Sequence, residues 1–400
     1  MPPPRPEVRR RVPLGAWGGI LLGLLSVAQF FSQPRPWGLT ANGAVASELA
    51  RLSHALSPSL AGAGTPAVVV FASGNAAMNS FMRNWGAWAE RTGVGRHGGE
   101  GGGDGASDTA VATTLLVPLD AEGYADLLRD DRWKLARDEV AWGEFGAARS
   151  AFRGAAYARM AQHKLVVLAT LLRLGRAALL SDPDVVLLRD PLPYLSRLAP
   201  CDVYCSVDRA ELLSLEDIRV QGGYALGADA VYFNTGLMFV RPTAAAGAFI
   251  EALLQHVRDA CSGGCHAGEQ SFFNEALGGE YRLAVPPGGN AGDTIADAAT
   301  AGACLEYVRE ARWGGAPAQV LRVMPLNQSL FPNHPVYMEL RRRAAAAAAA
   351  AGDSGGAALD GDESPFTVHY NWLETSAMKR AAMIEGGHWL LDVAAPVPDE

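Results

Sequence analysis

Residues 177–191, AALLSDPDVVLLRDP, restrict the possible folds more than any other stretch of the chain. Two apolar runs, AALL and VVLL, flank Ser181-Asp182-Pro183-Asp184. A short apolar run bounded by turn chemistry reads as a buried parallel strand. Two carboxylates at the end of such a strand call for a cation, because leaving them unpaired in low dielectric costs several kcal/mol. A divalent metal is the simplest candidate, held where open α/β sheets bind ligands, at the carboxyl ends of strands. An acidic-Pro-acidic sequence is also an ordinary turn, with Asp182 capping the segment that follows, and spacing alone leaves both readings open.

The flanking pattern extends the sheet. Residues 67–72, AVVVFA, read as a second buried strand with Ser73-Gly74-Asn75 as its turn. The next helix places Met78, Phe81, Met82, Trp85 and Trp88 on one face, a core stripe rather than a cofactor-stacking surface. Residues 114–118 resume as a strand ending at Asp120, and residues 157–174 form an amphipathic helix closed by Gly175. Strand, helix, strand, helix, strand argues for a doubly wound α/β sheet. Beyond it come a segment at 202–206 and a strand at 231–240, VYFNTGLMFV, interrupted by Asn234-Thr235-Gly236. Glycine inside a strand pattern marks a bulge or a close approach of the backbone to something else. Helices are expected at 248–258 and from Gly268-Glu269-Gln270 to Leu277, then a short strand at 366–372 and a helix carrying Lys379. Residues 95–105, 286–303 and 344–360 read as insertions of loop or low-complexity character.

The N-terminus sets the compartment. Arg5, Arg9, Arg10 and Arg11 precede residues 12–31, which carry no charge. A bilayer core takes roughly 20 such residues, and the arginines orient the segment with its start in the cytosol. The expected plan is a cytosolic tail at 1–11, a signal anchor at 12–31, an Ala/Ser/Pro/Gly-rich stem at 32–64 and one domain at 65–395. A cleaved signal peptide, with 14–25 as its apolar region and Ser26-Val27-Ala28 at the cut, is the alternative. Both place the domain in the secretory lumen. The five cysteines suit that compartment: Cys201/Cys205 and Cys261/Cys265 form two Cys-x-x-x-Cys pairs and Cys304 stands apart. Disulfides of open connectivity are expected, with a zinc site aided by His266 as the lesser alternative. Asn327-Gln328-Ser329 is a glycosylation sequon. A net charge of −8 gives no basic footprint for nucleic acid.

The blocks LLRLG…LLSDPDVVLLRDPLPYL, FNTGLMFVRPT, EQSFFN and VHYNW, with a lysine ten residues after the histidine, follow one another in that order. Over residues 67–389 this resembles the nucleotide-diphospho-sugar transferases of plants and algae, the group holding the reticulated-root arabinosyltransferases and rhamnogalacturonan xylosyltransferases. The resemblance implies a GT-A-type, Rossmann-like doubly wound mixed sheet, an arabinose, xylose or galactose donor carried on UDP, and Mn²⁺ or Mg²⁺. It further implies transfer with retention to a glycoprotein or cell-wall polysaccharide, in a single-pass type II protein of the Golgi membrane. Asp182 and Asp184 fall on the Asp-x-Asp motif and His369 on the late metal-ligating histidine. Lys379 matches the lysine that grips the donor phosphates, and Lys164 a basic position facing the acidic turn. Asn234 and Gly236 match the lining of the sugar pocket, and Ser73 and Asn75 lie where the nucleoside binds. Glu269 and Gln270 match an Asp-Gln pair flanking the reacting carbon, with Gln270 and Asp184 in the catalytic set.

Two positions depart from the family pattern: Glu269 is one methylene longer than the usual aspartate, and Thr375 stands where relatives commonly have glycine. The chemistry suits the residues, since a nucleotide diphosphate leaves poorly until a cation neutralises its growing charge, and carboxylates with one imidazole favour Mn²⁺ over an all-oxygen magnesium site. Two rivals remain. A haloacid-dehalogenase-type phosphatase also reads Asp-x-Asp after a strand but leaves His369 and Lys379 idle, and a non-catalytic lumenal binder would keep the fold without turnover.

Overall fold

The computed structural model describes residues 43–60, 67–94, 112–139, 142, 145, 155–212, 232–261, 268–279, 281–284, 303–309, 319–351 and 364–392. Its first element corrects the expected stem. Helix α1 (Gly43–Leu60) aligns Leu49, Leu52, Leu56 and Leu60 on one face, and all four are buried in the main core. Ion pairs from Arg51 to Asp138 and from Glu48 to Arg258 fasten the same helix to the domain. Its small residues resemble linker composition, but the leucine spacing of three and four makes it architecture. The expected anchor at 12–31 lies outside the described residues, among which no helix is long and apolar enough to cross a membrane.

In chain order there follow β1 (Val68–Gly74), α2 (Asn79–Thr92), β2 (Ala112–Pro118), α3 (Ala121–Leu127), α4 (Ala155–Arg173), β3 (Ala177–Ser181), β4 (Val185–Leu187) and α5 (Leu192–Leu195). The second half supplies β5 (Val203–Val207), β6 (Phe233–Val240), α6 (Ala244–Cys261), α7 (Glu269–Gly279), β7 (Tyr281–Leu283), β8 (Leu305–Arg309) and β9 (Gln319–Pro325). It closes with α8 (His334–Ala350), β10 (Thr367–His369) and α9 (Ser376–Glu385). Eight strands form one sheet in the order β2-β1-β3-β6-β5-β9-β8-β7, while β10 and β4 make a separate ribbon. β1 runs parallel to β2 and β3, whereas β6 enters antiparallel between β3 and β5. The sheet is therefore mixed, as expected.

Strand periodicity assigns each side chain to a layer. Val69 and Phe71 of β1 join a core with Leu165, Leu168 and Leu172 of α4 and Phe249 and Leu253 of α6. Val70 and Ala72 face Phe81, Met82 and Trp85 of α2 and Met383 of α9 on the opposite side. Burying each large apolar side chain contributes about 1.5–3 kcal/mol, so helices on both faces are what hold these strands in the middle. The α2 aromatics are core as expected, with Trp85 Nε1 donating to Ser181 Oγ at 2.9 Å and Trp88 Nε1 to the His388 carbonyl at 2.8 Å. Gly175, at φ 71°, ends α4 in the left-handed region, its N–H reaching the Leu172 carbonyl.

Two further expectations change. Residues 344–350 belong to α8, whose alanine run is an exposed continuation of a helix begun by the Asn333 cap, in keeping with alanine's high helix propensity. Residues 352–360, residues 95–105 and nearly all of 286–303 lie outside the described residues. Cys201 pairs with Cys304, Cys261 is also disulfide-bonded, and Cys205 is a buried free thiol whose pKa burial pushes up. The two-pair zinc alternative is thereby excluded, because the pairing partner of Cys201 lies 103 residues along the chain rather than one helical turn away.

Candidate active site

The acidic turn is anchored on both sides. The Asp182 N–H donates to the Gly236 carbonyl of β6 at 2.7 Å, and the Val185 N–H returns to the Asp182 carbonyl at 3.0 Å. Leaving the turn, β4 pairs antiparallel with β10 in a register that sets Val185 opposite His369. The Tyr370 N–H donates to the Asp184 carbonyl at 3.0 Å. That ladder carries the imidazole to the carboxylate: His369 Nε2 lies 3.3 Å from Asp184 Oδ1. One ligand atom each from Asp182, Asp184 and His369 fall within 4.8 Å of one another. An ion bound at about 2.0–2.2 Å holds neighbouring ligands roughly 3–4 Å apart, so this donor set fits one divalent cation.

Gly236 shows how tightly the set is built. A Cβ placed there would overlap the His369 ring and stand 2.9 Å from both Asp182 Oδ2 and Asn234 Oδ1. The glycine inside the strand pattern thus makes room for the histidine. Asn234 is turned back on its own strand, its Oδ1 accepting from the Gly236 N–H at 2.8 Å.

Two lysines balance the carboxylates. Lys379 Nζ contacts Asp184 Oδ2 at 2.6 Å, and Lys164 Nζ bridges Asp182 Oδ1 at 2.7 Å and Glu269 Oε1 at 2.5 Å. Burial pulls the Lys164 pKa down, but the charges of Asp182 and Glu269 outweigh it and hold the ammonium above its ordinary range. Burial likewise pushes Asp184 up, and Lys379 and His369 more than reverse this, keeping the carboxyl well below the usual carboxylate range. That balance favours the ionised carboxylate, the form a metal would take.

A cavity of about 310 Å³ opens beside the turn. Its walls include Ser73, Asn75, Met78, Tyr157, Lys164, Asp182, Asp184, Thr375 and Lys379. Ser73 Oγ is buried and has no hydrogen-bond partner among the described residues. Thr375 caps α9, its side chain accepting from the Met378 N–H at 3.1 Å, and so fixes the first turn on which Lys379 rides. The departure from glycine at this position has a structural use.

Glu269 and Gln270 sit at the start of α7. Glu269 accepts from Thr235 Oγ1 at 2.9 Å besides holding Lys164. Gln270 Oε1 accepts from the Thr235 N–H at 3.3 Å, and its Nε2 donates to Asp208 Oδ2 at 2.8 Å. The structure therefore gathers every sequence-predicted site residue around the carboxyl end of β3, with Ser73 and Asn75 on the β1 side and Gln270 on the β6 side.

Two participants escaped the sequence reading. Asp208, just past β5, also accepts from Asn234 Nδ2 at 3.2 Å, Asn371 Nδ2 at 2.8 Å and Trp372 Nε1 at 2.9 Å. A carboxylate directly after a buried strand was the available signal, the same one that marked Asp182. Tyr157 lines the cavity two helical turns before Lys164, on the same face. Burial, aided by Glu269, raises its pKa, so the phenol stays protonated.

Comparison with known proteins adds the family. The family model described as nucleotide-diphospho-sugar transferase matches residues 109–383, well over half of the chain. No curated protein matches it. Among solved structures it is similar to the galactosyltransferase LgtC with donor and acceptor sugar analogs, at 11% identity and TM-score 0.38, covering 81% of this chain and 96% of that one. It is similar to the glycosyltransferase GlyE of Streptococcus pneumoniae TIGR4, at 12% identity and TM-score 0.36, covering 82% of this chain and 61% of that one. Mouse xyloside xylosyltransferase 1 aligns at 10% identity and TM-score 0.37, covering 78% of this chain and 99% of that one. With the acidic turn, the late histidine and both lysines inside the matched span, the chain belongs to the nucleotide-diphospho-sugar transferase family and is a glycosyltransferase.

Proposed function

We propose that this GT-A-type glycosyltransferase uses UDP-arabinose, UDP-xylose or UDP-galactose with Mn²⁺, or Mg²⁺ in its place, and transfers the sugar with retention to a hydroxyl of a glycoprotein or cell-wall polysaccharide. The observation that carries the reading is the meeting of Asp182, Asp184 and His369 where the two aspartates join Lys164 and Lys379 in the wall of the cavity. When bound, the cation would neutralise charge on the leaving diphosphate as a Lewis acid. The chain's own residues do the rest. Lys379 and the capped N-terminus of α9 present positive charge to the phosphates. Ser73 Oγ, an unpartnered polar atom in the wall, is available to the nucleoside. Gln270, clamped between Asp208 and the Thr235 N–H, sets an amide beside the developing positive charge of the sugar. A new bond forms between the acceptor oxygen and the anomeric carbon as the bond from that carbon to the diphosphate breaks. The diphosphate takes the electron pair, and the acceptor's proton passes to the departing phosphate oxygen.

The Cys201–Cys304 disulfide supports a secretory-lumen location, here the Golgi with residues 12–31 as a type II anchor. The test is Mn²⁺-dependent release of UDP from the three donors by the full-length protein, with EDTA as the control and proton NMR reading the anomeric configuration. Asp184→Ala and His369→Ala are each expected to lower release by about 100-fold or more. Full activity in either variant removes that residue from the metal shell. Release from none of the three donors refutes the donor assignment.

A further inference from the structure

Trp372 is exposed over 56% of its surface, the one aromatic among the exposed large hydrophobic residues described. It is also the one described non-glycine residue with a positive φ, at 64°. Both features oppose folding, since a bulky side chain in the left-handed region is strained and an exposed indole contributes little burial. The hydrogen bond from its Nε1 to Asp208 Oδ1 at 2.9 Å ties down the ring edge and leaves ring surface open to solvent. Strained residues held by their surroundings gather where ligands bind.

The position of Trp372 tells which ligand. The cavity assigned to the donor lies over β1 and β3, while Asp208 follows β5, on the far side of β6 in the sheet. Trp372 is no part of that cavity's wall but connects through Asp208 to Gln270. Among the described residues, Asp208 Oδ1 already takes three donors, whereas Oδ2 takes that of Gln270 alone. A carboxylate oxygen accepts about two hydrogen bonds, so Oδ2 retains room for a hydroxyl. A flat π-face beside such an oxygen suits a six-membered sugar, whose C–H-bearing face meets the electron-rich ring while one hydroxyl reaches the carboxylate. We infer that Trp372 is the stacking platform of an acceptor subsite for a saccharide, with Asp208 as its polar edge. This deepens the glycosyltransferase reading above and rests on it.

The experiment compares two rates in the full-length protein: UDP release to water, and transfer to a panel of methyl pyranosides and plain oligosaccharides. Trp372→Gly removes the ring and also the strain, so the fold is not at risk. Trp372→Phe keeps a face but lacks the N–H. For Trp372→Gly, acceptor kcat/KM is expected to fall at least about tenfold further than donor hydrolysis, while Trp372→Phe stays within about threefold of wild type. Equal losses in both rates, or a phenylalanine variant as impaired as the glycine one, overturn the platform. So does a wild-type enzyme that hydrolyses donor yet transfers only to peptides. A wild-type enzyme that releases no UDP at all overturns the parent reading instead.

Discussion

Replacing Gly236 by alanine sets two opposed effects against each other at a single methyl group. Gly236 has no left-handed φ, so an alanine there fits the backbone, and by limiting the unfolded chain it would stabilise the protein by about 0.4–1 kcal/mol. The space decides otherwise. The new Cβ would overlap the His369 ring and approach Asp182 Oδ2 and Asn234 Oδ1 to 2.9 Å. Carbon atoms settle at about 3.5–4.0 Å, so the imidazole must withdraw by about 1 Å. The β10–β4 ladder and the contact of the His369 N–H with the Pro332 carbonyl at 3.0 Å oppose that withdrawal. Overpacking of this kind costs about 1–3 kcal/mol, which exceeds the gain from the alanine. The functional loss is larger, because a displacement of about 1 Å in a ligand set costs about 100-fold in rate. Calorimetric titration with Mn²⁺, UDP release and thermal melting follow the three quantities. The expected outcome is metal affinity and turnover lower by about 10–100-fold with a small drop in melting temperature. Wild-type Mn²⁺ affinity in Gly236→Ala would falsify the claim that this glycine exists to admit the histidine.

Three other outcomes are expected. Lys164→Met leaves Asp182 and Glu269 facing one another without their shared cation, and urea denaturation of the metal-free protein should show a loss of about 3–5 kcal/mol; Glu269→Gln in the same chain should recover part of it, and additive losses would refute the bridge. His388 is buried against Tyr337 and Tyr370, and burial, with Arg341 adding to it, lowers its pKa to about 4. Its unfolded value near 6.5 lies above this, so the unfolded state binds the extra proton between the two. Its contribution is complete above about pH 6.5 and is lost as pH falls toward 4, about 3 kcal/mol in all; His388→Phe should flatten that part of the stability profile, and an unchanged slope would sink the assignment. Cys304→Ser opens a 103-residue loop and should lower stability by about 2–5 kcal/mol, read as a melting shift that reductant in the wild type equals or exceeds, since reductant also opens the bond at Cys261.

Legibility from sequence followed the range of the forces involved. β1, β3 and the α2 and α4 faces were readable because their periodicities arise from residues a few positions apart. The same reasoning missed α1, where alanine and serine suggested a linker although the leucine spacing carried the opposite message. Residues 281–283, 305–309 and 319–325 were not read as strands, since short strands at a sheet's far edge carry little periodicity of their own. Asp208 went unnoticed because its four donors come from distant parts of the chain and leave no local motif.

By itself, the sequence determined where strands stop, which helix faces are apolar, that Gly175 ends a helix and that two carboxylates crowd one turn. All of these are settled by backbone and side-chain preferences within about two helical turns. Only the tertiary structure decided that Lys379, 195 residues from Asp184, closes on it, that His369 reaches the same carboxylate through the β10–β4 register, and that Gly236 clears the space. Such meetings depend on sheet order and on the packing of the layers that enforce it, and no nearest-neighbour preference encodes them.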